Sequence, residues 1–219
     1  MAESPSVTLN AHKSLTYRVI AGLVKILAYA LFRPTVTGAE HVAHHGPVLI
    51  APIHRSNVDF AMTLFISKRK VFFMAKETLF RVPGFGQLLA HLGAFPVHRG
   101  TADRESMMFA EEVLRQGHAL VLFPEGTRQE GRSVAPLHDG AMFMAARTGA
   151  TVVPVGIGGS DRAMPKGAKF PRPAKIRIVV GEGIAAPVSE GRVSRSAVTA
   201  KSEQLRHDLE AVYLESLES

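Results

Sequence analysis

The segment with the clearest chemical potential is His54-Arg55-Ser56-Asn57-Val58-Asp59, which directly follows the apolar run at residues 47–53. On a continuous helix, side chains five residues apart point about 140° away from each other, so His54 and Asp59 can meet only if the chain bends between them. A carboxylate that accepts from one imidazole nitrogen leaves the other free to remove a proton from a hydroxyl or water. The pattern predicts a general-base pair, although Ser56 and Asp59 are also typical of a capping box, in which Asp59 would only close a helix start.

Two further segments end apolar runs with residues suited to an anionic ligand. In Phe123-Pro124-Glu125-Gly126-Thr127-Arg128, the guanidinium suits a phosphate, the carboxylate can orient it or accept from a substrate hydroxyl, and the glycine lets a ligand approach the backbone. The segment Gly93-Ala94-Phe95-Pro96-Val97-His98-Arg99 supplies a second arginine. Each alone is also compatible with a surface turn. Together with the His/Asp pair, they have what a site for a hydroxylated, phosphorylated molecule requires.

The elements that must position these segments alternate along the chain. Short apolar runs predict strands at residues 47–53, 71–75, 94–97, 119–123, 151–157 and 175–181. Helical patterns fall at residues 58–67, 85–92, 102–116, 140–148 and 195–218, and residues 158–172 read as an exposed loop. This alternation predicts an α/β fold with a mixed, mostly parallel sheet flanked by helices. The 219 residues are enough for one sizeable domain.

The charge balance restricts the class of partner. The net charge is +7, and all of the excess lies in residues 1–100, which carry 11 basic and 4 acidic side chains. Such a field suggests a polyanion: nucleic acid, anionic lipid or a phosphorylated substrate. No basic-aromatic module indicates a nucleic-acid partner. The absence of cysteine excludes disulfide scaffolds, thiolate metal sites and cysteine nucleophiles, and His41, His44 and His45 resemble a metal cluster only superficially, so no metal site is predicted.

The first apolar segment predicts an amphipathic helix. A narrow polar stripe recurs at helical spacing between wide apolar surfaces: Ser14, Arg18, Gly22, Lys25, Tyr29 and Arg33. Because Arg18, Lys25 and Arg33 interrupt the segment, its longest uncharged piece is residues 26–32, which is far shorter than the ~20 apolar residues of a membrane-spanning helix. The amino terminus also lacks the basic residues that begin a secretory signal. Two interpretations stay open: a helix at a membrane surface, or a helix packed in the core of its own domain.

Taken in order, these segments resemble the glycerolipid acyltransferase family, whose members include 1-acylglycerol-3-phosphate acyltransferases. The resemblance rests on four blocks within residues 47–157: His54-x4-Asp59, residues 93–99, residues 123–128 and Val152-Val153-Pro154-Val155. It implies that His54 is the general base on the acceptor hydroxyl and that Asp59 orients it. The acceptor's phosphate and glycerol portions would be held by five residues: Arg99, Glu125, Gly126, Thr127 and Arg128.

The resemblance also implies the substrates. The acceptor oxygen would attack the thioester of acyl-CoA or acyl-carrier protein, and the acceptor would be a lysophospholipid, most simply 1-acylglycerol-3-phosphate, giving phosphatidate. No cofactor is implied beyond the acyl donor as co-substrate, and no metal. We expect residues 1–35 to form an amphipathic membrane-associated segment and residues 36–219 the acyltransferase domain. The expected location is peripheral, on the cytoplasmic face of a membrane whose anionic surface is a partner.

Two departures from the family pattern leave the acceptor open. Family members often carry serine after the arginine of the third block, where this chain has Gln129, and basic residues before the next Gly-Ala, where it has Pro136-Leu137-His138-Asp139. Another lysolipid or a glycolipid is therefore an alternative acceptor. Water would make the chain a thioesterase, and a membrane-bound lipid scaffold is the non-enzymatic alternative.

Overall fold

The structure, a computed structural model, describes residues 15–97, 103–187 and 193–218. Its strands are β1 Thr35–Thr37, β2 Val48–Pro52, β3 Val71–Lys76, β4 Ala94–Val97, β5 Ala119–Val121, β6 Thr151–Gly158 and β7 Arg177–Val180. Its α-helices are α1 Leu15–Phe32, α2 Asp59–Met62, α3 Glu77–Phe80, α4 Phe85–His91, α5 Arg104–Arg115, α6 Gly140–Thr148, α7 Ser160–Ala163 and α8 Arg195–Leu217. Short 3-10 helices cover Ala39–His41 and Thr63–Phe65.

One seven-stranded sheet organises the chain, in the order β1-β7-β6-β2-β5-β3-β4. Every neighbouring pair is parallel except β6 and β7, which are antiparallel. The five strands from β6 to β4 therefore run in one direction and end at one edge of the sheet, which we call the carboxyl edge. This arrangement confirms the predicted α/β class and the mixed, mostly parallel sheet, and it brings the ends of β2, β5 and β4 to the same side of the molecule.

Helices cover the sheet on both faces. Alternate residues of β2 enter different core clusters, Val48 and Ile50 the first, Leu49 and Ala51 the second. Helices α1, α2 and α4 pack in the first cluster, whereas α5 and α6 pack in the second. Because both of its faces are covered, all five residues of β2 are buried, which explains why its sequence is a continuous apolar run.

Helix α1 turns its apolar arc outward. Only Ala21, Ala28 and Phe32 are buried, whereas Leu23 and Leu27 are 62% and 63% exposed. The helix therefore lies against the domain by a narrow contact, and the interpretation as a plain core helix is wrong for its outer face. Among the described residues, α1 is the one helix that is long and apolar enough to cross a membrane, although Arg18 and Lys25 interrupt its apolar sequence.

Some elements differ from the sequence expectations. The predicted helix at 58–67 is α2 followed by a 3-10 turn, Thr63–Phe65. Strand β1 was not predicted, because three residues are too short to show a period, and the expected domain boundary at 35/36 falls inside it. The expectation of an exposed loop at 158–172 is wrong at its start, because Gly158 ends β6 and the following α7 buries Ser160 and Ala163.

Candidate active site

The chain bends between His54 and Asp59, and the bend brings their side chains together. The His54 Nδ1 and Asp59 Oδ2 atoms are 3.0 Å apart. His54 lies beyond the end of β2, and Asp59 is the first residue of α2. Because a carboxylate accepts, Nδ1 donates in this contact, and the tautomer that fits it has its lone pair on Nε2. No described residue forms a hydrogen bond with Nε2 of His54.

One oxygen of Asp59 holds the whole bend. Besides the imidazole, Oδ2 accepts from the backbone N–H groups of Arg55 and Ser56, each at 2.7 Å. The N-cap of α2 is Val58, so the contact with Ser56 closes the turn before the helix, and the turn-closing and dyad interpretations describe the same side chain. Asp59 is fully buried, and its Oδ1 has no hydrogen-bond partner among the described residues. Its negative charge is thus directed at the imidazole and the turn.

His54 is fixed at its backbone and at its ring. Its N–H donates to Glu125 Oε2 at 3.0 Å, and its carbonyl accepts from the backbone N–H of Gln129 at 2.9 Å. The imidazole stacks on Phe123, with ring centroids 4.0 Å apart. Phe123, Glu125 and Gln129 all follow β5, the parallel neighbour of β2. The segments that follow these two adjacent strands thus supply His54 and the groups that hold it.

A buried ion pair joins these two loops. Arg55 Nη1 lies 2.8 Å from Glu125 Oε2 and 3.0 Å from Oε1, and both side chains are almost completely buried. Arg55 also donates to the carbonyls of Gly131, Ser133 and His54. In the His54–Asp59 motif, Arg55 is one of the four residues between the two candidate side chains, and the motif predicts no role for it. Its partner is 70 positions away, so no local pattern could have revealed this role.

Glu125 has a different environment from the one expected of a substrate ligand. Its two oxygens accept from Arg55, from the His54 N–H and from the Ala135 N–H at 3.1 Å. With no exposed side-chain surface, the carboxylate has no oxygen turned toward a bound molecule. The geometry therefore supports a role in positioning His54 rather than the direct substrate contact that the resemblance implies.

The rest of this loop is open to solvent. Gly126 and Thr127 are exposed, and Gly126 has a φ of +71°, a conformation that side chains rarely adopt. A Cβ at Gly126 would lie 2.9 Å from the His138 ring, so His138, one of the departures noted above, borders the loop. Arg128 is half-buried, and no described residue pairs with its guanidinium. It is available to an anion.

The second arginine block is only partly described. Strand β4 ends at Val97, and Arg99 lies outside the described residues. Val97 pairs in register with Lys76, the last residue of β3, which is exposed at the carboxyl edge. Lys76 is thus a further cation on the same edge that was not predicted; its position at the end of an apolar run is the same signal that marks the other blocks.

Comparison with known proteins identifies the family. The family model described as Acyltransferase matches residues 33–158, more than half of the chain. This match contains the dyad and residues 123–129, which we call the Glu125 loop. The chain belongs to the Acyltransferase family.

Relatives of this acyltransferase family member carry a common name. A chloroplastic 1-acyl-sn-glycerol-3-phosphate acyltransferase of Brassica napus is 27% identical over 66% of this chain and 42% of its own length. One from Chlamydomonas reinhardtii is 30% identical over 70% of this chain and 47% of its own length. One from Bacillus subtilis is 26% identical over 76% and 81%. The chain spans less than half the length of the first two.

A solved structure supports the acyltransferase fold. The 1-acyl-sn-glycerophosphate acyltransferase PlsC of Thermotoga maritima superposes with a TM-score of 0.75 at 24% identity, covering 93% of this chain and 81% of that one. At this identity the likeness shows the fold, and it extends beyond the matched segment to most of the chain.

The ion pair in this acyltransferase site makes a prediction about stability. Arg55→Met should lower the free energy of unfolding by about 3–5 kcal/mol, because the Glu125 carboxylate would stay buried without its cation. Urea denaturation followed by circular dichroism measures the loss. The double variant Arg55→Met/Glu125→Leu should lose less than the two single losses added together.

A matched control removes an exposed arginine. Arg206 forms an ion pair with Glu203 on the surface of α8, and both side chains are more than a third exposed. Arg206→Met should change the free energy of unfolding by less than about 1 kcal/mol. Equal losses at Arg55 and Arg206 would contradict the importance given to the buried pair.

Proposed function

We propose that the chain transfers an acyl group from a thioester to the hydroxyl of a lysophospholipid, most simply 1-acylglycerol-3-phosphate, to give phosphatidate. The observation that carries the proposal is the His54–Asp59 contact at 3.0 Å, with the Nε2 atom left free of protein partners. A ring held in this way has the proton on the side of the carboxylate and the base on the other side. The names of the curated relatives support the same reaction.

The chemical step uses this chain's own groups. Nε2 of His54 takes the proton of the acceptor hydroxyl as the oxygen forms a bond with the thioester carbonyl carbon. The carbon–sulfur bond then breaks, and the thiolate leaves with the proton returned by the imidazolium. Asp59 keeps the ring oriented and stabilises the imidazolium between the two proton transfers. The products are an ester and a free thiol, so atoms and charge balance without a metal ion or further cofactor.

The acceptor's phosphate would lie by the open part of the Glu125 loop. Arg128 supports this placement because its guanidinium has no partner among the described residues. The exposed Gly126 and Thr127 leave room for the glycerol portion. Arg99 remains a proposed second phosphate ligand on the strength of the resemblance alone. The acyl donor, acyl-CoA or acyl-carrier protein, is proposed on the same basis.

The lipid substrates and helix α1 point to a membrane surface. Helix α1 packs on α2, the helix that begins with Asp59, while its apolar arc faces outward. An exposed apolar arc flanked by Lys and Arg is typical of helices that lie at anionic membranes. We therefore propose a peripheral enzyme on the cytoplasmic face, with α1 at the lipid boundary and the dyad one helix away.

The acyl-transfer proposal is tested by thiol release from acyl-CoA, with and without 1-acylglycerol-3-phosphate. Wild-type protein should release thiol only with the acceptor and form phosphatidate, detected by mass spectrometry. His54→Ala should lower kcat by at least ~100-fold, the usual contribution of a general base. Asp59→Asn should lower kcat with little change in acceptor KM, because it alters the base and not the binding of the acceptor.

Other outcomes separate the alternatives. Thiol release without acceptor, abolished by His54→Ala, would indicate a thioesterase. Phosphatidate formation at the wild-type rate by His54→Ala would remove the catalytic role of the dyad. Asp59 is fully buried, so each variant must first match the wild-type circular dichroism spectrum and melting temperature within a few degrees.

A second experiment tests the phosphate site. Arg128→Ala should raise KM for 1-acylglycerol-3-phosphate ~10- to 100-fold, the equivalent of the 1.5–3 kcal/mol of a charge-assisted hydrogen bond. Monoacylglycerol, which lacks the phosphate, should be used equally well by both proteins. The matched control is Arg132→Ala, an exposed arginine four positions further along the chain. Equal impairment with both acceptors would refute the assignment of Arg128.

A third experiment tests the membrane contact of α1. Leu23→Ser/Leu27→Ser should lower co-sedimentation with phosphatidylglycerol vesicles by at least ~10-fold, because each leucine loses about 1.5–3 kcal/mol of burial. The control Met108→Ser/Phe143→Ser alters two exposed apolar side chains on α5 and α6, which cover the other face of the sheet. Equal effects of both pairs would remove the special role of α1. Wild-type protein that only detergent extracts from membranes would make α1 a spanning helix.

A further inference from the structure

The last turns of helix α8 lie directly on strand β6. A Cβ at Gly156 would lie 2.2 Å from the Val212 carbonyl oxygen, and one at Gly158 would lie 2.1 Å from that of Ser216. These glycines are two residues apart and so share one face of the strand. Because these glycines have no side chains, the backbone of α8 packs directly on β6. The last turns of α8 therefore lie near the carboxyl edge of the sheet. Helix α8 lies outside the segment that matches the family model.

This contact delivers Tyr213 to the buried arginine of the site. The Arg55 Cζ lies 5.0 Å from the centroid of the Tyr213 ring, and Tyr213 is 2% exposed. Its hydroxyl donates to the carbonyl of Gly131 at 3.3 Å, the same oxygen that accepts from Arg55 Nε at 3.2 Å. Burial raises the pKa of Tyr213 above its ordinary value, although the nearby Arg55 opposes this shift. The phenol thus stays a neutral donor.

Each guanidinium nitrogen of Arg55 donates at least one hydrogen bond. Its three guanidinium nitrogens donate to Gly131, to Ser133, and to Glu125 and the His54 carbonyl. The Arg55 Cζ also lies over the face of the Tyr213 ring, which gives a cation-π contact. Tyr213 therefore restrains the guanidinium in addition to its hydrogen-bond acceptors.

We propose that Tyr213 is a positioning residue for the base, acting through Arg55 and Glu125 on His54. The proposal rests on the proposed function, since it assigns Tyr213 a task in that reaction. The path is continuous in the structure: ring to guanidinium, guanidinium to the Glu125 carboxylate at 2.8 Å, and carboxylate to the His54 N–H at 3.0 Å. Catalytic groups must stay within about 0.5 Å of their productive position, so a loosened guanidinium lowers turnover without touching a substrate.

The test compares Tyr213→Leu, which removes the ring, with Tyr213→Phe, which keeps it and loses the hydroxyl. Tyr213→Leu should lower kcat by ~10-fold with acceptor KM within about twofold, because cation-π contact is lost and substrate contacts are not. Tyr213→Phe should retain at least about a third of wild-type kcat on the same grounds. Rates are expressed per folded protein, with the folded fraction measured by circular dichroism at the assay temperature.

A matched control separates positioning from general stability. Leu205→Ala alters a buried residue of α8 two turns earlier, in the second core cluster. It should lower the melting temperature as Tyr213→Leu does, while kcat per folded protein stays at the wild-type value. In an Arg55→Lys background, Tyr213→Leu should change kcat less than about twofold, because the path is already broken.

The outcomes distinguish this proposal from the proposed function. Wild-type kcat in Tyr213→Leu, or equal kcat losses in Tyr213→Leu and Leu205→Ala, would overturn the positioning role while acyl transfer stands. Full additivity of Tyr213→Leu and Arg55→Lys would also overturn it. If wild-type protein transfers no acyl group, or His54→Ala is fully active, the proposed function itself fails first.

Discussion

The arrangement of the site depends on one buried carboxylate. Glu125 lies in the loop after β5, and its two oxygens bind the Arg55 guanidinium and the backbone of the loop after β2. Taking a carboxylate out of water costs several kcal/mol unless a cation and hydrogen bonds compensate for it. The two loops can therefore bury these charges only together. His54 lies at their junction, with its N–H on Glu125 and its carbonyl accepting from Arg55, so the same requirement that stabilises the loops fixes the backbone of His54.

Asp59 does two tasks that sequence reasoning treats as alternatives. A short turn into a helix needs an acceptor for its free N–H groups, and a catalytic imidazole needs an acceptor for Nδ1. Oδ2 of Asp59 serves both, since it accepts from the Arg55 and Ser56 N–H groups and from His54. The ring is thereby oriented by the atom that closes the turn. The ring orientation thus depends on Asp59, whereas the backbone of His54 is held by Glu125.

The parts of the structure that were predictable are those encoded by neighbouring residues. The strands around β2 were visible as apolar runs, and the contact of His54 with Asp59 followed from a bend within six residues. The partners of Glu125 were not predictable, because Arg55 is 70 positions away and meets it only when β2 and β5 pair. Tyr213 is further still from its partners, and its place depends on two glycines of β6 that carry no local signal of a packed helix. The direction of β7 likewise follows from tertiary packing, not from its own sequence.

The family match covers the dyad, but the helices on either side of it contact the site. Helix α1 packs on α2, which begins with Asp59, and α8 lies on β6 and brings Tyr213 over Arg55. Helix α1 thus presents an apolar surface beside the dyad, and α8 places Tyr213 against the Arg55 guanidinium. In the proposed reaction, α1 would serve a lipid acceptor, because the acceptor hydroxyl would reach the dyad from the apolar surface that α1 presents. In the same proposal, α8 would help to keep His54 in place, because the Arg55–Glu125 pair that contacts Tyr213 holds the His54 backbone.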